Sequence, residues 1–234
     1  MAAVSVRAIE PRDRSATFGK VLRLPGVYAV QSDSLLLAET LRREGVGPGM
    51  RVLDMCTGTG ALGVYAARLG ARVTAVDISR RAVLTTRLNA FLSGQRVTVR
   101  RGDLMASLPS RSFDLVVSNP PYVPAPATLP PRRGAARAWD AGHDGRVLVD
   151  RICDSVSDVL RPGGVLLMIH SGLCGTEETV RRLGRAGMSA SIVERAHVPF
   201  GPVLRGRLDW LRGRGLLGAH DNREELVIIR AEKI

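Results

Sequence analysis

The chain has 234 residues, a formal net charge of +12 from 34 basic and 22 acidic side chains, 45% hydrophobic residues and 4% aromatic ones. That apolar fraction excludes a disordered chain and suffices for one folded domain of ordinary size. No run of about 18 apolar residues occurs, which excludes a membrane-crossing helix, and no apolar stretch follows the N-terminal arginines, which argues against a secretory leader.

Residues 1–23 form a basic extension with five basic and two acidic side chains. Gly47-Pro-Gly49 is a turn signal, and the apolar run Arg51–Met55 after it reads as a buried strand. Leu62, Tyr65, Ala66 and Leu69 share one face of a helix over Gly60–Leu69. Arg72–Asp77 reads as a second strand, and Ser79 is placed to cap a helix that runs to about Leu92. Arg96–Arg101 alternates as a third strand, and Phe113–Ser118 is a fourth. A helix over Val147–Leu160 stops at Arg161-Pro-Gly-Gly164. Gly164–His170 is a fifth strand, Thr176–Ala186 a helix, Ala190–Val198 a sixth strand and Glu224–Ala231 a seventh. Residues 199–223 are rich in Gly, Pro and Arg and lack a helix-length apolar pattern, so the last strand is expected to return antiparallel. Strands alternating with helices imply a mostly parallel sheet covered on both faces. No internal repeat and no second domain is evident.

Besides the extension, residues 132–146 and 195–215 carry net charges of +2 and +4. These stretches read either as solvated faces or as docking sites for an acidic partner, nucleic acid included. Of the basic residues 32 are arginine, a bias that GC-rich codon usage would produce unaided. Cys56, Cys153 and Cys174 lie far apart with no CxxC, so neither a zinc knuckle, nor any other metal site, nor a disulfide framework is expected, and a reducing cytoplasm is the expected compartment. Cys153 falls on an apolar helix face and His170 at a strand end, both read as packing residues.

Asp54-Met-Cys-Thr-Gly-Thr-Gly60 joins the first strand to its helix, and Gly58–Gly63 satisfies the dinucleotide pattern GxGxxG. Glycines there let the backbone pass close to a ligand above a helix N-terminus, although a tight turn with no ligand would use the same residues. A nicotinamide dinucleotide would place pyrophosphate at this loop, where the carboxylate of Asp54 repels it. Asp54 suits a cationic amino group instead. Asp77 ends the second strand, where a carboxylate can accept both ribose hydroxyls. Asp103, after the third strand, can accept from an adenine amine. The ligand implied carries an amine, a ribose and an adenine but no phosphate, and S-adenosylmethionine fits. Asp54, Cys56, Gly58 and Gly60, then Asp77 and Asp103, resemble the cofactor pattern of class I methyltransferases. Cys56 stands where a glycine is usual, and a cysteine backbone can make the same contact if its φ is negative.

Ser118-Asn-Pro-Pro-Tyr-Val-Pro124 follows the fourth strand. The two prolines stiffen the loop and remove two donors. The Asn119 side-chain oxygen and the Pro120 carbonyl can each accept one hydrogen of a planar –NH2 group, and Tyr122 adds a π face. Two acceptors favour the pyramidal, electron-rich nitrogen of a methyl-transfer transition state.

This motif resembles that of amino-methyltransferases acting on glutamine amides, adenine or guanine. Val27-Tyr28 with Gln31-Ser-Asp-Ser-Leu-Leu-Leu37 resembles the HemK-type release-factor glutamine methyltransferases, especially their short single-domain kind. Trp139-Asp-Ala-Gly-His-Asp-Gly145 is similar to their Gly-Gly-x-x-Gly segment, with Ala141 in place of one glycine. The resemblance implies cofactor contacts at Tyr28, Ser34, Asp54, Cys56, Asp77, Asp103, Leu104 and Asn119. Arg132, Arg133 and Arg137 lie beyond Tyr122, where they can line the substrate mouth. It implies an α/β, Rossmann-like fold: a mostly parallel seven-stranded sheet, an antiparallel last strand and helices on both faces. Residues 24–234 would form a single methyltransferase domain behind the 1–23 extension. Bacterial relatives of that type carry a helical N-terminal domain that helps grip the substrate, and short eukaryotic ones use a zinc-binding activator subunit, a partner that is possible here but not indicated by the sequence. The reading is N-methylation of a glutamine amide in a protein such as a release factor. The alternatives are an adenine or guanine amine in RNA or DNA, a small-molecule amine, a nucleic-acid-binding module with a vestigial cofactor site, or a dehydrogenase.

Overall fold

The structure, a computed structural model, describes residues 6–8, 14–106 and 108–234. Residues 1–5 and 9–13, part of the expected extension, lie outside the described residues. One sheet organises the chain, in the order β4-β3-β2-β5-β6-β8-β7-β1. Its strands are β1 (Val6–Ala8), β2 (Arg51–Met55), β3 (Arg72–Asp77), β4 (Val97–Arg101), β5 (Phe113–Ser118), β6 (Leu160–Ser171), β7 (Met188–Pro199) and β8 (Arg223–Lys233). β8 runs antiparallel between β6 and β7, and every other pairing is parallel. The seven expected strands are all present and give the Rossmann-like methyltransferase order 3-2-1-4-5-7-6 when β1 is set aside. The three-residue β1 adds an eighth at the edge, in a segment too short for a periodic signal.

The helices are α1 (Arg14–Phe18), α2 (Ser32–Arg43), α3 (Ala61–Arg68), α4 (Arg80–Leu92), α5 (Val147–Val159), α6 (Thr176–Arg185), α7 (Pro202–Arg205) and α8 (Leu208–Gly213). They cover both faces of the sheet, with α2, α3 and α4 in one contiguous group and α5 and α6 in another. Parallel strands buried on both faces read as unbroken apolar runs. Accordingly, Leu166, Leu167, Met168 and Ile169 of β6 are fully buried. None of the described helices is long and apolar enough to cross a membrane.

Three expectations change. Arg161-Pro-Gly-Gly164 does not separate α5 from a strand; β6 begins at Leu160, and the extra residues are absorbed as an irregularity in its pairing with β5. Residues 199–223 contain α7 and α8. These helices are too short to repeat an apolar period, and they are held by their own small core of Phe200, Leu204, Leu211 and Leu217. Arg146, counted with the basic stretch 132–146, is buried and structural. Its guanidinium donates to the carbonyls of Cys174 and Gly175 and pairs with Asp150.

On α4 the buried side is made by Ala82, Val83, Thr85, Thr86, Asn89 and Ala90. Its opposite side carries an exposed stripe of Leu84, Leu88, Phe91 and Leu92, with Phe91 81% exposed. From Ile78 to Gly102, through α4 and the edge strand β4, the chain has six arginines and no acidic residue. That charge density exceeds that of the three basic stretches noted above.

Candidate active site

β2 pairs with both β3 and β5, so the strand order reverses at β2. Open α/β sheets bind ligands at such a switch point, beyond the carboxyl ends of the strands. A cavity of about 470 Å³ opens there, lined by Tyr28, Ser34, Cys56, Gly58, Asp77, Asp103, Leu104, Asn119, Pro120 and Tyr122. Asp54 and Gly60 do not line it.

Asp54 lies under the loop, 1% exposed. Its Oδ2 accepts the Thr57 hydroxyl at 2.5 Å and the Gly63 N–H at 2.9 Å. A Cβ on Gly63 would sit 2.8 Å from that oxygen, so glycine permits the contact. Gly60 has φ of 79° and packs against α4, where a Cβ would meet Thr86 Cγ2 at 2.6 Å. Burial pushes the Asp54 carboxyl up to about 7 against these two hydrogen bonds. Asp54 therefore braces the loop from below.

Cys56 has φ of 60°, so the condition of a negative φ is not met. The loop is pinned immediately after it: Thr57 N donates to the Val76 carbonyl at 3.1 Å, and Gly58 N to Asp77 Oδ2 at 3.0 Å. Leu104, also on the cavity, has φ of 51°. Non-glycine residues in this region are strained, and such strain gathers where a backbone must meet a ligand. Burial, with Asp77 and Asp54 nearby, pushes the Cys56 thiol up and keeps it neutral, which removes it as a nucleophile.

The N–H groups of Thr57, Gly58, Gly60 and Gly63 are all taken, by Val76, Asp77, Thr57 and Asp54 respectively. The pyrophosphate of a dinucleotide finds no free cradle in them. Asp77 also accepts the Ser79 N–H at 2.8 Å, and burial raises its carboxyl above the ordinary range. Asp103 is exposed and pairs with Arg151 at 2.9 Å. Carboxylates of this kind suit the hydroxyls and amines of a nucleoside, and the cavity fits S-adenosylmethionine in donor set and size.

Ser118 ties the end of β5 to β2 by donating to the Met55 carbonyl at 3.0 Å. Beyond it the Asn119–Tyr122 loop is held through its backbone. The Cys174 thiol donates to the Tyr122 carbonyl at 3.1 Å, and a Cβ on Gly145 would lie 2.2 Å from that same oxygen. Val123 and Ala125 then exchange backbone hydrogen bonds with Trp139, Ala141 and Gly142. Arg207 locks the junction to the α7–α8 segment, reaching the Pro124 carbonyl at 2.9 Å and Asp140 at 2.7 Å. No hydrogen bond holds the Asn119 side chain among the described residues, so its amide is available to the cavity.

Of the three arginines expected at the mouth, Arg132 and Arg137 line the cavity, together with Trp139, whereas Arg133 does not. One residue that no motif singled out stands apart. Asp33 sits between Tyr28 and Tyr122, accepting from both phenols. Its position inside the quoted Gln31–Leu37 segment was the only available signal. His170 is fully buried, with burial pushing its imidazole down to about 4, and packs as expected.

The methyltransferase small domain pattern matches residues 19–129. A putative protein N5-glutamine methyltransferase of Methanocaldococcus jannaschii is 32% identical over 177 residues, 75% of this chain and 88% of that one. A release factor glutamine methyltransferase of Deinococcus radiodurans is 45% identical over 50% of this chain, and a ribosomal protein uL3 glutamine methyltransferase of Bradyrhizobium diazoefficiens is 44% identical over 50%. The matches span only 44% and 39% of those two bacterial proteins. Among solved structures, the Mtq2–Trm112 complex of E. cuniculi, which methylates the termination factor eRF1, superposes with a TM-score of 0.62 at 24% identity, covering 89% of this chain and 99% of that one.

Proposed function

Because the chain belongs to the class I S-adenosylmethionine-dependent methyltransferases, within the small-domain family related to the HemK-type glutamine methyltransferases, we propose that it methylates the side-chain amide nitrogen of a glutamine in a protein, a translation release factor being the favoured acceptor. The observation that supports this reading is the Asn119–Tyr122 loop, held by its backbone at the cavity that Asn119, Pro120 and Tyr122 line.

Tyr28, Ser34, Cys56, Gly58, Asp77, Asp103 and Leu104 would hold the cofactor, which supplies an electrophilic methyl group on a sulfonium sulfur. Asn119 Oδ1 and the Pro120 carbonyl would each accept one hydrogen of the incoming –NH2. An amide nitrogen is a poor nucleophile because its lone pair is conjugated. Two fixed acceptors favour the pyramidal nitrogen over the planar one and so act mainly in the transition state. Tyr122 would stack on the amide plane and face the developing positive charge. The proton can leave after transfer, so no strong base is required.

Transfer of tritiated methyl to a release factor, with and without the glutamine of its GGQ motif, tests the acceptor. Label should depend on that glutamine; label that survives its removal overturns the assignment. Ribosomal protein uL3, RNA and a free aromatic amine serve as parallel acceptors, and preferential labelling of any of them redirects it. Asn119→Ala should lower kcat by about 100- to 1,000-fold, the scale of one lost transition-state hydrogen-bonding group. Binding of S-adenosylhomocysteine, followed by calorimetry, should persist.

A further inference from the structure

Asp33 is a buried carboxylate with no counter-ion among the described residues. It is 2% exposed and makes no ion pair among the described residues. A second buried carboxyl, Glu224, which burial pushes up to about 7, faces both tyrosines. Burying an unpaired charge is costly unless hydrogen bonds replace its water. Here they do. Oδ2 accepts the Tyr28 phenol at 2.7 Å and the Tyr122 phenol at 3.2 Å. Oδ1 accepts the Ser34 N–H at 2.6 Å and the Ser34 hydroxyl at 3.1 Å. Four donors fill roughly the full accepting capacity of a carboxylate. Its place in the first turn of α2 adds the favourable end of the helix dipole. A helix start alone would be served by a neutral Ser or Asn, so the charge answers another need.

The two phenols belong to opposite parts of the cavity. Tyr28 stands beside the glycine loop, 4.0 Å from where a Gly58 Cβ would lie, and Tyr122 is the last residue of the Asn-Pro-Pro-Tyr loop. We propose that Asp33 is a positioning residue for methyl transfer, joining the aromatic wall on the cofactor side to the aromatic platform on the acceptor side through one shared carboxylate oxygen. The proposal rests on the reading that Tyr122 faces the acceptor nitrogen. Asp33 has two effects. It fixes both ring planes, since each phenol oxygen is held at a point set by α2. It also enriches the rings, because a phenol that donates to a carboxylate shifts electron density into its π system. A richer Tyr122 face attracts more strongly the positive charge shared between sulfur and nitrogen as the methyl passes.

The test uses the intact chain in a Tyr65→Phe background. That substitution leaves Tyr28 and Tyr122 as the only tyrosines, and Tyr65 itself packs on Phe18 away from the cavity. In the ultraviolet Raman spectrum the tyrosine Fermi doublet should report two strong phenol donors, and Asp33→Asn should remove that signature. The kcat of Asp33→Asn should fall by about 10- to 100-fold, the scale of one hydrogen bond to a charged group. Tyr28→Phe and Tyr122→Phe, which lose only an oxygen, should each lower kcat. Combined with Asp33→Asn, neither should lower it more than about threefold further, because all three substitutions break the same junction. An unchanged doublet, or losses that multiply fully, would overturn the proposal. If Asp33→Asn does not fold, the coupling between Tyr28→Phe and Tyr122→Phe decides alone: full multiplication refutes the shared junction. The acceptor question stays separable. A doublet that shifts in a chain that labels no glutamine removes the glutamine reading and leaves the junction, whereas transfer to glutamine without a shift or coupling does the reverse.

Discussion

Cys56 adopts a backbone conformation in which an L-residue costs roughly 1–2 kcal/mol. Its neighbours impose it, since Thr57 N and Gly58 N are both claimed by β3 and its end. A one-letter code shows that glycine is missing here but not which way the loop's hydrogen bonds turn the peptide, so the sign of φ at Cys56 was not legible. Cys56→Gly should relieve the strain, less the roughly 0.5–1 kcal/mol that glycine adds to the unfolded chain's freedom, for a net gain of about 0.5 kcal/mol. Cys56→Ala should give no gain. Urea denaturation of the three proteins checks this, and a clear loss in the glycine variant would mean that thiol packing outweighs strain. Affinity for S-adenosylhomocysteine should change little, because the loop would contact the cofactor through its backbone. Asp54 teaches a similar lesson. Its carboxylate at a strand end was legible, but whether it faces the ligand or the loop's underside depends on Gly63, whose lack of a Cβ lets the carboxylate approach the first turn of α3.

At the scale of elements, the alternation of apolar runs with amphipathic stretches carried β2 through β8 and α3 through α6, because each spans enough residues to display its period. α2 escaped notice as a helix, since Leu35, Leu36, Leu37 and Leu41 are all buried and mask its amphipathic face. α7 and α8 escaped because four and six residues hold barely one turn or two. The bracing of the Asn-Pro-Pro-Tyr loop is likewise tertiary, being set by a glycine 23 positions downstream of Tyr122. Gly145→Ala cannot be accommodated without moving that loop, because the new methyl would lie 2.2 Å from the Tyr122 carbonyl and its backbone φ is 74°. A displacement near 1 Å costs on the order of 100-fold in rate. The expected result is a kcat loss of that size with S-adenosylhomocysteine affinity within about threefold, measured by single-turnover transfer and calorimetry. A fully active variant would show that the loop does not depend on this contact.

For the whole molecule, the net charge of +12 pointed to loop-rich basic stretches, yet part of that charge is internal structure. Arg146 is buried, while Arg195 and Arg207 are paired with Glu225 and Asp140. The densest excess lies on α4 and β4, around the exposed Leu84–Leu92 stripe. An apolar ridge beside an open edge strand is ordinarily a route to self-association. Here two such ridges cannot approach without bringing together twelve like charges. The exclusion acts through solvent, so its range follows ionic strength: about 8 Å at physiological salt and about 3 Å at 1 M. The chain should sediment as a monomer in dilute buffer and self-associate in concentrated salt, and Phe91→Ser should abolish the association. Association that weakens with added salt would contradict this. If it strengthens instead, the arginines of α4 and β4 act as a colloidal barrier, and the state of assembly becomes a function of the medium.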